Sequence, residues 1–156
     1  MAIPMQLSGH CYEANCGEIM MEQLLLVTGA AIYGILGSIH LLSTFFTNKF
    51  DPRDIAVKEA MKGTSPVISK DTSMWRAWIG FNASHSFGAM LVAAVYIPLT
   101  ISYFEVIQKS LWFSLLPILI GLSYLIVAGK YWFKTPFIGV LISTVCFAGA
   151  AMLINT

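Results

Sequence analysis

Long uncharged segments dominate the hydrophobic and polar pattern of this chain. Four stretches contain no Asp, Glu, Lys or Arg, and each is 20 residues or longer: residues 23–48, 77–104, 110–129 and 135–156. The hydrocarbon core of a bilayer is about 30 Å thick, so a helix needs roughly 20 apolar residues to cross it. Because backbone polar groups in lipid must be satisfied internally, such segments are helical. The pattern therefore predicts four transmembrane helices.

The expected fold is an all-α, four-helix transmembrane bundle. Strands of a membrane barrel would be about ten residues long and would alternate apolar with polar positions, whereas these segments are longer and continuously apolar. Residues 23–156 are predicted to form the membrane domain. An external segment at 1–22 precedes this domain. The domain consists of helices at about 23–46, 74–103, 110–133 and 136–155 and a polar loop at 47–73.

Composition supports a membrane protein over a soluble one. The 156 residues are 57% hydrophobic and 11% charged, against about 45–50% and about 25% in soluble domains. A soluble fold would have too little polar surface to cover four such segments. No basic stripe or aromatic platform lies outside the apolar segments, so nucleic acid is not an expected partner. The lipid bilayer is an expected partner.

Lys and Arg lie almost entirely on one side of the predicted membrane. Residues 47–76 carry six of them, and the turn before the fourth helix adds Lys130 and Lys134. The opposite side has only Lys109. Cytoplasmic loops are enriched in Lys and Arg. This bias predicts a cytoplasmic loop at 47–73, external termini and a multi-pass protein of a cell membrane, which is the inner membrane if the source is bacterial.

The polar loop is predicted to contain a short helix. Asp51 and Pro52 form a helix start, because a capping residue is followed by proline at the first helical position. The helix would run to about Lys62, with Asp54 and Lys58 as an i,i+4 ion pair. We expect it to lie on the inner membrane surface. The alternative is a simple connector.

Polar side chains inside the first two spans form the candidate site. The candidate residues are His40, His85, Asn82, Ser84, Trp78, Tyr33 and Arg76. At about 1.5 Å per residue, His40 and His85 lie at similar depths from the basic side. Trp78 and Asn82 share a helix face with His85, as Tyr33 does with His40. Ionisable residues within a span usually face the bundle interior and often mark a site.

Four interpretations of this cluster stay open. The side chains could form interhelical hydrogen bonds that lock the bundle, or they could line a pocket for a quinone, a lipid or another apolar ligand. His40 and His85 could be the axial ligands of a b-type haem, with Arg76 or Lys49 beside its propionates. Finally, His85 could act as a catalytic acid or base, although no intramembrane carboxylate is present to pair with it.

Two cysteines lie in the external N-terminal segment. Cys11 and Cys16 are separated by four residues, and an oxidising compartment would permit a disulfide between them. Free thiols are an alternative. So is a metal site with His10 and Glu13, although four well-spaced ligands are not evident.

Part of the chain resembles a known group of proteins. The quoted residues are FDPRD at 50–54, MWRAWIGFNASHSFG at 74–88 and SIHLLSTFF at 38–46. They look like a family of small, functionally uncharacterised bacterial four-helix integral membrane proteins. The resemblance covers about the first two helices and their loop, and it implies the same topology but no activity.

The sequence therefore predicts a non-enzymatic membrane subunit or small binding protein. Its polar pocket would either hold an apolar ligand or lock the bundle. Other membrane protein subunits or further copies of this chain are the expected protein partners. The alternative function is a redox subunit that holds a b-type haem or a quinone through His40 and His85.

Overall fold

Helices make up nearly all of the structure, which is a computed structural model that describes the backbone of residues 13–156 and the side chains from Met21 onward. Six helices are present in this part of the chain, and no strand. They are α1 (Glu13–Phe46), α2 (Ile55–Gly63), α3 (Met74–Ser102), α4 (Phe104–Lys109), α5 (Leu111–Tyr131) and α6 (Lys134–Ile154). Cys11 lies outside the described residues, and so does the side chain of Cys16, so the predicted disulfide falls there too.

Four helices are long and apolar enough to cross a membrane, which confirms the predicted fold class. The candidate spans are Met21–Phe46, Met74–Ser102, Leu111–Tyr131 and Lys134–Ile154. Large apolar side chains on all of them point away from the protein; Phe46 is 80% exposed and Phe81 75%. Exposed apolar surface on this scale is unstable in water and stable in hydrocarbon. The sidedness of the two termini stays a prediction.

The helix boundaries differ from the prediction in two places. Helix α1 begins at Glu13, within the segment that was expected to precede the membrane domain. The connection between the second and third spans is itself helical, as α4, with an exposed ion pair between Lys109 and Glu105 at 2.7 Å. The hydrogen bond and charge of Lys109 lower the pKa of the Glu105 carboxyl.

Helix α1 is the central element of the bundle. It packs against α3 on one side and α6 on another, while α5 packs mainly against α6. α1 and α3 approach closely at Gly37, where an added Cβ would lie 2.8 Å from the Ser86 carbonyl oxygen. Small residues allow helix backbones to approach closely in lipid. α3 and α5 do not pack along their length, which leaves a space between them.

Hydrogen bonds join α5 to α3 and to the end of α6 at one end of the bundle. Tyr96 Oη of α3 donates to the Phe113 carbonyl of α5 at 3.0 Å, and Asn155 Nδ2 beyond α6 donates to Ser114 Oγ of α5 at 3.2 Å. We call this the closed end. The opposite end carries the 47–73 loop and the turn between α5 and α6, and we call it the basic end. The space between the helices opens there.

The loop helix is present, but its cap and ion pair were predicted wrongly. Helix α2 begins at Ile55, and its N-cap is Asp54, whose carboxylate accepts a hydrogen bond from the Ala56 amide at 2.8 Å. Because that carboxylate satisfies the helix terminus, it does not pair with Lys58. Instead, Lys58 forms its ion pair with Asp51 at 2.6 Å.

Candidate functional site

A cleft of about 800 Å³ opens at the basic end of the bundle. All four spanning helices contribute to its walls, and the loop after α1 and the α5–α6 turn form its mouth. Its lining is mostly apolar and aromatic: Tyr33, Leu36, Gly37, Ile39, His40, Ser43, Lys49, Phe50, Trp78, Asn82, His85, Ala89, Tyr124, Tyr131, Trp132, Phe133, Thr135, Pro136 and Val140. Ligand sites are concave, of about 300–1,000 Å³, with apolar walls and a few polar groups. This cleft has those properties.

His40 and Asn82 are joined across the α1–α3 interface. His40 Nε2 lies 3.0 Å from Asn82 Oδ1, and Asn82 Nδ2 donates to the Trp78 carbonyl at 2.8 Å. The second bond determines the orientation of the amide, because only its nitrogen can donate to a carbonyl. Oδ1 must therefore accept from His40, which carries its proton on Nε2. In the neutral imidazole, Nδ1 is left as an acceptor.

His85 lies within a cluster of rings. Its ring centre is 5.3 Å from that of His40, 5.2 Å from that of Tyr124 and 4.5 Å from that of Trp132. These contacts fill part of the space between α3 and α5, so the cleft wall is aromatic at this depth. Within the described residues, no hydrogen bond reaches either nitrogen of His85. Its orientation therefore depends on ring packing alone, and both nitrogens are left for another molecule.

Tyr33 forms the deep wall of the cleft. Its side chain is 1% exposed, with the ring edge-on to Tyr124 at 5.4 Å and stacked near Phe147 at 6.2 Å. The hydroxyl has no hydrogen-bond partner in the described part of the chain. Leaving such a group unsatisfied costs about 1–3 kcal/mol. The hydroxyl itself has almost no accessible surface, so Tyr33 contributes the face of its ring rather than a hydrogen-bonding group to the cleft.

The structure brings together most of the predicted site residues but not all of them. Trp78 lines the cleft and donates from Nε1 to the Phe50 carbonyl at 3.1 Å, which ties the 47–73 loop to α3. Ser84 is exposed, and its hydroxyl donates to the Phe81 carbonyl of its own helix. Successive helix residues turn by about 100°, so Ser84 faces away from Asn82. Arg76 is also exposed and does not line the cleft.

Several cleft residues escaped the sequence analysis, and Tyr124 and Phe50 are two that contact the histidines. Tyr124 lies in the middle of the third span, and Phe50 belongs to the loop. Phe50 lies 4.4 Å from His40, ring centre to ring centre, and covers the mouth side of that histidine. A tyrosine in the middle of an apolar span was a usable signal for Tyr124, because a buried hydroxyl needs a partner. Nothing in the sequence indicated Phe50.

A b-type haem does not fit between the two histidines. A metal lies about 2 Å from an imidazole nitrogen, so two imidazoles that bind one haem iron have ring centres roughly 6 Å apart, with the porphyrin between them. Here the rings of His40 and His85 are in edge contact at 5.3 Å, and the Nε2 of His40 is directed at Asn82. The close α1–α3 approach at Gly37 leaves no slot for a porphyrin.

Among the described residues, acidic and thiol groups do not contribute to the cleft. The lining contains no Asp, Glu or Cys, and no three such residues or histidines cluster as metal ligands anywhere in the part of the chain that the structure describes. Cys146 of α6 is a half-buried free thiol outside the cleft. The arrangement is suited to hydrogen bonding and ring packing.

Comparison with known proteins identifies no relative of this chain. No protein-family model matches it, and no curated protein or solved structure is significantly similar to it. The resemblance of residues 50–54 and 74–88 to small bacterial four-helix membrane proteins therefore stays a prediction. The functional argument rests on the geometry of the cleft.

Proposed function

We propose that this chain is a small, non-enzymatic, multi-pass membrane protein that holds one apolar ligand in the cleft at its basic end. The observation that carries the proposal is a largely apolar cavity that contains both nitrogens of His85, to which no described residue hydrogen-bonds. A ligand with an apolar body and a few polar atoms would satisfy both features.

Bundle locking alone accounts for less of the geometry. The His40–Asn82 hydrogen bond joins α1 to α3 and would serve that purpose. An interhelical hydrogen bond in a membrane protein contributes about 0.6 kcal/mol on average. Locking gives no role to His85, which forms no hydrogen bond with any described residue. Ligand binding gives a role to its two nitrogens.

Binding is also better supported than catalysis. A histidine that acts as general base is usually oriented by a carboxylate or a similar partner. Among the described residues, His85 is held by ring contacts only, and none of those that line the cleft is a carboxylate. We therefore assign the cleft a binding role, in a cell membrane, with further subunits or copies of the chain as partners for the exposed faces of the bundle.

Co-purification with a blocked cleft tests this function. The full chain is extracted in native lipid discs, and bound small molecules are identified by mass spectrometry. The variant His85→Trp places a larger ring in the cleft. The control variant Phe81→Trp introduces the same side chain on the exposed face of the same helix. We expect a molecule in about one-to-one ratio with the wild type and with Phe81→Trp, and its loss from His85→Trp.

The opposite pattern would refute the proposal. If wild type and both variants carry only the bulk lipids of the membrane in identical proportions, the cleft holds no specific ligand. Circular dichroism and size-exclusion profiles of the three proteins confirm that the His85→Trp variant is folded.

A further inference from the structure

A second cavity lies beside the mouth of the cleft, and its lining is polar and charged. It has a volume of about 530 Å³ and lies between one face of α2 and the segment that follows α1. The described residues that line it are Asn48, Lys49, Asp51, Pro52, Arg53, Ile55, Lys58, Glu59 and Lys62. Four of these residues are cations and two are carboxylates. We call this cavity the cationic pocket.

Ion pairs neutralise only half of the cations in the cationic pocket. Both of its carboxylates are in ion pairs, at 2.6 and 2.7 Å: Asp51 with Lys58 and Glu59 with Lys62. Lys49 and Arg53 form no ion pair within the described residues. The adjacent carboxylate of Asp54 is bound to the start of α2. The pocket therefore has two positive charges in excess, and a phosphate suits a guanidinium and an ammonium together.

Lys49 belongs to both cavities. It lines the cationic pocket and the mouth of the cleft. Two hydrogen bonds hold the backbone around it: the Lys49 amide donates to Thr47 Oγ1 at 3.2 Å, and the Trp78 indole donates to the carbonyl of the next residue, Phe50, at 3.1 Å. The two cavities therefore meet at one cation in a fixed segment, so a single molecule can occupy both.

Polarity in the cleft decreases with depth. The histidine rings come first after the mouth, where Phe50 covers His40 at 4.4 Å and His85 follows at 5.3 Å. One helical turn deeper, the lining includes the aliphatic side chains of Leu36 in α1 and Ala89 in α3. A ligand that fits this gradient has polar atoms near the mouth and an apolar chain at depth.

The cationic pocket lies at the level of lipid headgroups. The first two spans end at Phe46 and begin again at Met74, and residues 48–62 between them form the pocket. Lys58 of the pocket lies over the ring of Trp75, 4.7 Å from its centre, and tryptophan is enriched at the membrane–water interface. Basic pockets at this level between membrane helices bind anionic lipid headgroups.

From these observations we infer that the cleft and the cationic pocket together bind one anionic phospholipid. The inference rests on the proposed binding function and specifies the ligand of the same site. Lys49 and Arg53 bind the phosphate, and one acyl chain enters the cleft past the histidines. The other chain stays in the bilayer against Ile39 and Phe133, which line the cleft and are 57% and 64% exposed. A zwitterionic lipid binds less well, because the excess positive charge repels its own cation.

Native mass spectrometry of the full chain in a neutral detergent tests the inference, with dioleoyl phosphatidylglycerol as the probe. Dioleoyl phosphatidylcholine has the same chains and a zwitterionic head, and glycerol 3-phosphate is an anionic phosphate without chains. We expect one phosphatidylglycerol per protein, with an affinity at least several times higher than that of phosphatidylcholine. Glycerol 3-phosphate that binds as tightly as phosphatidylglycerol would assign the pocket to a soluble phosphate and overturn the inference.

Two double variants separate a specific pocket from the general attraction of the basic end. One combines Lys49→Gln with Arg53→Gln. The other combines Lys70→Gln with Arg76→Gln, which removes the same charge from the same end, and neither residue lines either cavity. The first should weaken phosphatidylglycerol binding about ten- to thirtyfold, the effect of two cations at a lipid headgroup. The second should weaken it less than about threefold, because solvent and salt screen distant charges. Equal losses would overturn the inference.

The cleft-blocking variant tests where the acyl chain lies. His85→Trp should abolish one-to-one binding of phosphatidylglycerol, and Phe81→Trp should retain it. Binding that persists in a folded His85→Trp would place the lipid outside the cleft and overturn the inference. If a different molecule co-purifies and is lost from His85→Trp, while phosphatidylglycerol binds no better than phosphatidylcholine, the ligand class is wrong and the proposed function stands. If nothing co-purifies and neither lipid binds one-to-one, both fail.

Discussion

Replacing Gly37 with alanine should separate α1 from α3 beside the candidate site. An alanine Cβ at this position would lie 2.8 Å from the Ser86 carbonyl oxygen, 2.9 Å from Met90 Cγ and 3.1 Å from Ala89 Cβ. The methionine can move. The carbonyl is part of the α3 backbone and the alanine has no other rotamer, so the two helices must shift apart by a few tenths of an ångström.

The magnitude follows from two opposing effects. Overpacking of a close helix contact costs about 1–3 kcal/mol, and replacing glycine by alanine in a helix contributes about 0.5–1 kcal/mol of stability. The net loss for Gly37→Ala is then about 0–2.5 kcal/mol. Gly80→Ala is a matched control, because Gly80 lies in α3 and an added Cβ there has nothing within 4 Å. It retains the favourable effect alone.

The assay is reversible unfolding of the purified protein in mixed micelles, with increasing dodecyl sulfate and tryptophan fluorescence as the signal. Gly37→Ala should unfold at lower dodecyl sulfate than wild type, and Gly80→Ala at an equal or higher fraction. The helix-propensity effect cancels between the two variants, so their difference of about 1–3 kcal/mol measures the steric contact. Equal stability of the two alanine variants would refute the close α1–α3 approach.

Three further predictions concern the site, the loop and the topology. A double-mutant cycle of His40→Ala and Asn82→Ala should give a coupling free energy of about 0.5–2 kcal/mol, measured by the same unfolding assay; additive effects would mean that the hydrogen bond is not formed. Asp54→Ala should speed amide hydrogen exchange throughout α2, because loss of an N-cap costs about 1 kcal/mol. Asp51→Asn should speed it less, because it removes a partly exposed ion pair of less than about 1 kcal/mol. Faster exchange in Asp51→Asn than in Asp54→Ala would contradict the cap. A cysteine that replaces Lys109 should react with an impermeant maleimide from outside intact cells, and one placed in α2 should not; labelling of α2 alone would invert the predicted orientation.

Much of the candidate site follows from the sequence because some constraints act along a single helix. Trp78 and Asn82 had to share a face with His85 by their spacing, and all three line the cleft. His40 had to lie at a similar depth, since depth depends on distance from the basic end. Ser84 was assigned to the site on proximity in sequence, and its position two residues from Asn82 turns it away from the cleft.

The loop shows how several local signals can favour the wrong register. Asp51-Pro52 and Asp54 each satisfy the rules for a helix start, and both sites contain an acidic cap. The structure uses the second, and its carboxylate binds the Ala56 amide. Lys58 then pairs with the carboxylate that is left, that of Asp51. Choosing between two equivalent caps depends on where the loop is anchored, here by the Trp78 bond to Phe50.

The sequence alone determined that the chain crosses the membrane as four helices, because that outcome depends only on length, the absence of charge and backbone hydrogen bonds within each segment. Only the tertiary structure decided which faces meet. Each span is apolar on every side, since lipid and the protein interior favour the same residues, and hydropathy therefore does not specify helix rotation. The central position of α1, the inward direction of Tyr124 and the unpaired hydroxyl of Tyr33 depend on close packing at positions such as Gly37. Such packing involves residues far apart in the chain, and no local pattern encodes it.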